Sequence, residues 1–205
     1  MKHAEDSIPE QKTGRFTIFS EEHLFASGPE AHENFKKAAS RLLNVNDWYV
    51  YAGPGSSRFC LTNNLGEEVV GFAKEGFLIS IDLPVPGSDA GEGLEWVMIE
   101  KIEAAGDGYS VEEYISMTAR PTPNPKQPDP EIAHFYKDIA SNTFIVKRTG
   151  KLVTVAIHGR NETPNNAEVD LHDKIRNTLV ALSARIGLAG PQWKKLARGL
   201  LMPEQ

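Results

Sequence analysis

Ala156-Ile-His-Gly-Arg-Asn-Glu-Thr-Pro-Asn-Asn166 puts an imidazole, a guanidinium and a carboxylate within five residues, and it joins two unlike periodicities. Before it, Lys151 to His158 alternates as a strand does: Val153, Val155 and Ile157 share one face, and Thr154, Ala156, His158 and Arg160 share the other. After it, Asn165 can cap a long helix with Glu168 at the capping-box position, and Leu171, Ile175, Leu179, Leu182 and Ile186 form one stripe. A helix with such a stripe needs an apolar surface to lie on, and the preceding strands are the candidates to supply it.

Working back along the chain, Thr143 to Arg148 reads as a strand joined to Lys151–His158 by a hairpin at Thr149-Gly150. Five prolines between Pro121 and Pro130 predict an extended crossing. Asp129 and Pro130 then predict the start of a short helix with Ile132, Phe135, Tyr136 and Ile139 on its inner face and His134 as a polar member. Tyr109 to Arg120 alternates clearly, with Tyr109, Val111, Ile115, Met117 and Ala119 on one face. Glu113 falls on that apolar side, which suits an open sheet edge or a pocket. Arg58–Thr62, Glu68–Ala73, Phe77–Leu83 and Glu95–Glu103 read as further strands separated by Gly-containing turns.

Nearer the start, Ser27, Pro29 and Glu30 form the signature of a helix N-terminus, followed by a stripe of Ala31, Phe35, Ala38, Ala39 and Leu42. His32 borders that stripe as a surface histidine. Arg15–Phe19 reads as a strand, and residues 1–14 as a disordered tail. At the other end Gly187 stops the long helix and Pro191 starts another, with Trp193, Leu196, Ala197, Leu200 and Leu201 inward and Lys194, Lys195 and Arg198 outward.

The expectation is one α+β domain over residues 15–205, a strongly curved antiparallel sheet packed around a long C-terminal helix. This order is similar to helix-grip folds of the START-like kind. That resemblance implies a cavity for an apolar ligand between sheet and helix.

Composition narrows the function classes. The 205 residues are 40% hydrophobic and 24% charged, with one cysteine, Cys60, so neither a disulfide framework nor a thiolate metal cluster is expected. The polar start and the absence of a long apolar run predict a cytoplasmic protein without a membrane span. Net charge is −6, yet Lys147–Gln205 holds 10 Lys/Arg against 5 Asp/Glu while the preceding residues hold 12 against 23. Such a basic tail pairs most simply with the acidic body or a second subunit, and the aromatics are not interleaved with it as nucleic-acid binding requires.

Three functions fit these residues. The first is binding of a small apolar or amphipathic ligand, with Trp48, Trp96, Tyr114 and Glu113 as candidate contacts, because Trp and Tyr combine apolar area with one polar handle. The second is catalysis, with His158 as general acid/base and Arg160 holding an anion. Against it, turn chemistry explains the same stretch: Gly159 ends the strand, Arg160 and Glu162 form a surface pair, and Asn161 shapes the turn. The third is homo-oligomer formation or another interaction through the 191–201 helix. No cofactor is called for; His158, Glu168 and His172 are the nearest approach to a metal set, and Glu168 is better explained as a cap.

Overall fold

The computed structural model describes residues 3–83, 91–127, 131–165 and 190–202. The expected long helix from Asn165 to Ile186, with Glu168 and His172, lies outside the described residues beyond Asn165. The elements are β1 (Arg15–Leu24), α1 (Gly28–Leu43), α2 (Trp48–Ala52), β2 (Arg58–Thr62), β3 (Leu78–Asp82), β4 (Glu95–Ala105), β5 (Glu112–Pro121), β6 (Ser141–Thr149), β7 (Leu152–Glu162) and a helix over residues 190–201, here α3. All seven strands form one antiparallel sheet in the order β1-β7-β6-β5-β4-β3-β2. The expected α+β architecture is present: an antiparallel sheet whose inner face packs against α1 and, at the C-terminal end, α3.

The sheet is strongly curved. Phe59 on β2 and Phe144 on β6 lie four strands apart, which in a flat sheet would separate them by roughly 19 Å. Their rings nevertheless both touch Trp48, at centroid distances of 5.2 and 4.8 Å, and both approach Trp193, at 6.1 and 5.4 Å. A bulge in β4 between Ile99 and Lys101, and another where Arg15 and Thr17 meet β7, loosen the ladder where it bends. The concave face carries Leu61, Ile79, Ile99, Met117, Val146 and Val155, all in the main core. Small clusters pack on the convex side: Leu78 and Trp96 with Ala133, and Tyr114 and Ile145 with Ala4.

α1 starts as its sequence predicts. The Ser27 side chain accepts from the Glu30 N–H, Pro29 occupies the first turn, and Ala31, Phe35, Ala38 and Leu42 are buried. α3 buries Leu196, Ala197, Leu200 and Leu201 in the same core and leaves Lys194, Lys195 and Arg198 exposed. Arg41 from α1 donates to the carbonyls of Leu200 and Leu201, which closes the end of α3. No helix among the described residues is long and apolar enough to cross a membrane.

Five local expectations change. Glu68–Ala73 is not a strand: only Glu68 bridges Thr62, while Val69 accepts from Asn46 and the Ala73 N–H donates to Leu43. Gly71 has φ 139° and Val70 is 93% exposed, so the apparent alternation does not continue as a strand, although Ala73 reaches the core. Residues 131–139 form no helix but run as an irregular, bent segment, because the Ala133 backbone bonds both Trp96 and Thr122 and the Phe135 N–H donates to Glu95. Glu113 is not at an open edge but buried, and His32 is not a free surface residue but its partner. Residues 3–14, read from sequence as a disordered tail, run along the sheet, with a 3-10 turn at Ala4–Ser7 that buries Ala4.

Candidate functional site

Curvature leaves a cavity between the concave face and α3. Its volume is about 40 Å³, and about 700 Å³ when the open space at its mouth is included. Trp48, Phe59, Phe144 and Trp193 form an aromatic wall, and Ile79, Ile81, Val97 and Ala119 form the aliphatic floor. Their places follow from the period of two: each strand presents alternate residues to this side. Trp48 arrives differently, on α2, where its Nε1 donates to the carbonyls of Arg41 and Leu42 at 3.2 and 3.1 Å.

Polar groups gather at one end, where His134, Tyr136, Asn142 and Gln192 line the cavity. His134 Nδ1 accepts from the Tyr136 N–H at 2.9 Å, which makes that nitrogen the unprotonated one, and its ring stacks on Phe135 at 4.4 Å. The Tyr136 phenol is pushed upward in pKa by burial first and by the charge of Glu162 second. Glu162 accepts from Thr17 Oγ1 at 2.8 Å, and burial raises its pKa against that hydrogen bond. The carboxylate fits because Gly159 has no side chain: a Cβ there would stand 2.0 Å from Glu162 Oε1.

The opening stretch is therefore neither a simple strand end nor a surface ion pair. β7 continues to Glu162, and Asn161 takes a left-handed φ of 54° at the bulge. Its Oδ1 accepts from the N–H groups of Lys12 and Thr13, and its own N–H donates to Gln11, which ties down the N-terminal segment. Glu162 turns inward, so it does not make the surface pair with Arg160 that its spacing suggests.

His158 and Arg160 lie on the opposite, convex face, away from the cavity. Burial, followed by the charge of Arg160, lowers the His158 pKa to about 4. Arg160 sits 5.7 Å over the Phe16 ring and donates to the Gly159 carbonyl. Of the residues expected to touch a ligand, Trp48 lines the cavity. Trp96 and Tyr114 belong to the convex clusters, and Glu113 stands on the concave face in a network of its own. Its Oε1 accepts from Arg148 Nε and lies 2.6 Å from His32 Nδ1, while Arg148 also donates to the carbonyls of Gly150 and Ser110. Cys60 is partly buried, with its thiol pKa raised chiefly by burial.

The sequence does not single out Asn142 or Gln192 as site residues, and it presents Glu162 only as half of a surface pair with Arg160. Asn142 had a readable signal: it shares a face with Phe144 and Val146, polar at the end of an apolar pair. Gln192 and Glu162 had none, because helix packing and a bulge place them.

No protein-family model matches the chain, and no curated protein does either. Solved structures with distant likeness include major latex-like protein 151 from Panax ginseng (16% identity, 86% of this chain and 99% of that one, TM-score 0.33). Truncated norcoclaurine synthase from Thalictrum flavum shares 11% over 87% and 98%, with a TM-score of 0.33. A protein from Arthrobacter aurescens shares 12% over 92% and 88%, with a TM-score of 0.37. At this distance none of their activities transfers to the chain.

Proposed function

We propose that the protein binds a small apolar or amphipathic molecule in the cavity between the curved sheet and α3. The observation that carries this reading is the open void itself, lined by six Trp, Tyr and Phe side chains, with polar side chains gathered at one end. A core closed solidly by the same residues would need no such void, since protein interiors pack to crystal-like density. In this reading His158 and Arg160 take no part, being on the other face.

The test is uptake of N-phenyl-1-naphthylamine, whose fluorescence rises in an apolar site. The wild-type protein should take it up saturably, and Ala119→Phe, which fills the floor from β5, should weaken uptake at least tenfold. Equal uptake by a folded Ala119→Phe variant would sink the proposal. Native mass spectrometry followed by denaturing extraction would then identify what the purified protein carries.

A further inference from the structure

Several polar atoms of the cavity wall are already engaged. Gln192 Oε1 accepts from the Ser57 hydroxyl at 2.6 Å and the Ser57 N–H at 3.2 Å, Trp48 Nε1 is held by α1, and His134 Nδ1 takes the Tyr136 N–H. The Asn142 amide oxygen differs: it is shut away from solvent and has no hydrogen-bond partner. Its strand partner is Gly159, the residue whose missing side chain admits the Glu162 carboxylate. Two acceptor groups therefore stand side by side at the polar end, and among the described residues no lysine or arginine lines the cavity.

We infer that the cavity selects molecules whose inserted end carries a hydroxyl or N–H donor and no carboxylate, with Asn142 as the accepting residue. This inference rests on the ligand-binding reading above and names the ligand class. The Asn142 amide turns about a broad, two-fold terminal torsion, so its oxygen can swing from the wall to meet a donor. A donor would satisfy an acceptor that is otherwise buried without a partner, and this kind of mismatch discriminates strongly between ligands that have the group and ligands that lack it. A carboxylate would bring a second negative charge beside Glu162 with no lysine or arginine on the cavity wall to receive it.

The probes are three molecules with one ring system: 2-naphthol, 2-methylnaphthalene and 2-naphthoate, titrated calorimetrically into the full chain at pH 7. 2-Naphthol should bind about tenfold tighter than 2-methylnaphthalene, the size of effect expected of one satisfied buried hydrogen bond, and 2-naphthoate should bind weakest. Asn142→Leu should reduce 2-naphthol to the level of 2-methylnaphthalene without weakening the latter, whereas Asn142→Asp, which keeps an acceptor, should preserve the preference for the donor. Tightest binding by 2-naphthoate, equal binding of all three, or an unchanged 2-naphthol preference in Asn142→Leu would overturn the inference while leaving the cavity a binding site. Failure of all three to bind would overturn the ligand-binding reading and this inference with it. Should Asn142→Leu not fold, the wild-type series and Asn142→Asp decide the matter alone.

Discussion

A carboxylate buried on the concave face of this sheet needs close partners, and Glu113 has them. It is 3% exposed, faces Arg148 directly across the β5–β6 ladder and meets His32 from α1. The two desolvated charges compensate each other, so removing one leaves the other stranded. Arg148→Met should therefore cost about 3–5 kcal/mol, while Glu113→Leu combined with Arg148→Met should recover most of that loss. Urea denaturation of the two variants checks this, and a single variant as mild as a surface change would refute it. His158 makes a different prediction. Its pKa falls from 6.5 to about 4 in the folded protein, so between those values the unfolded chain binds more protons and stability must rise with pH. The contribution is complete above pH 6.5 and is lost as pH falls toward 4. The full shift would correspond to about 3 kcal/mol, reduced to roughly 1–2 because the ring is partly solvated. His158→Gln should flatten the pH 4–6.5 slope in thermal melts, and an unchanged slope would mean that another group sets it.

Among elements, α3 and α2 meet closely at a glycine. A Cβ on Gly199 would lie 1.8 Å from the Tyr51 carbonyl oxygen, a backbone atom that cannot swing aside as a flexible side chain could. Gly199→Ala should push the helices apart and cost about 1–3 kcal/mol, read as a lowered melting temperature and weaker probe uptake through displaced Trp193. Unaltered stability would mean that α3 shifts freely. Where a local rule and the tertiary environment agree, the elements were legible: the Ser27 cap, the Thr149-Gly150 hairpin and the inward stripe of α3 all follow from residues a few positions apart. The mistaken segments are those whose backbone bonds lie far away in the chain. Glu68–Ala73 has strand-like alternation but bonds Asn46 and Leu43, and residues 131–139 have helical spacing but bond Trp96, Thr122 and Thr163. The site was legible in the same measure. Trp48 could be picked as a large amphipathic side chain, whereas Asn142, Gln192 and Glu162 matter because curvature and one glycine bring them to the same end.

At the scale of the molecule, the cavity exists because the sheet closes on residues from both ends of the chain. Trp48 precedes β2, Trp193 follows every strand, and Phe59 and Phe144 meet them from strands that a flat sheet would hold far apart. α3 is thus part of the core and not an appendage laid on it. Leu196, Leu200 and Leu201 are all buried, and each is worth about 1.5–3 kcal/mol on burial, so together they rival the 5–15 kcal/mol that a typical domain has in total. Truncation after residue 189 should therefore abolish cooperative unfolding and near-ultraviolet circular dichroism, and the probe should no longer bind saturably. The alternative use of this helix, assembly with a second copy, makes the opposite forecast. A truncated chain that keeps its fold and its binding but loses mass in solution would show that α3 serves the assembly, and the cavity would then need only the sheet, α1 and α2 to form.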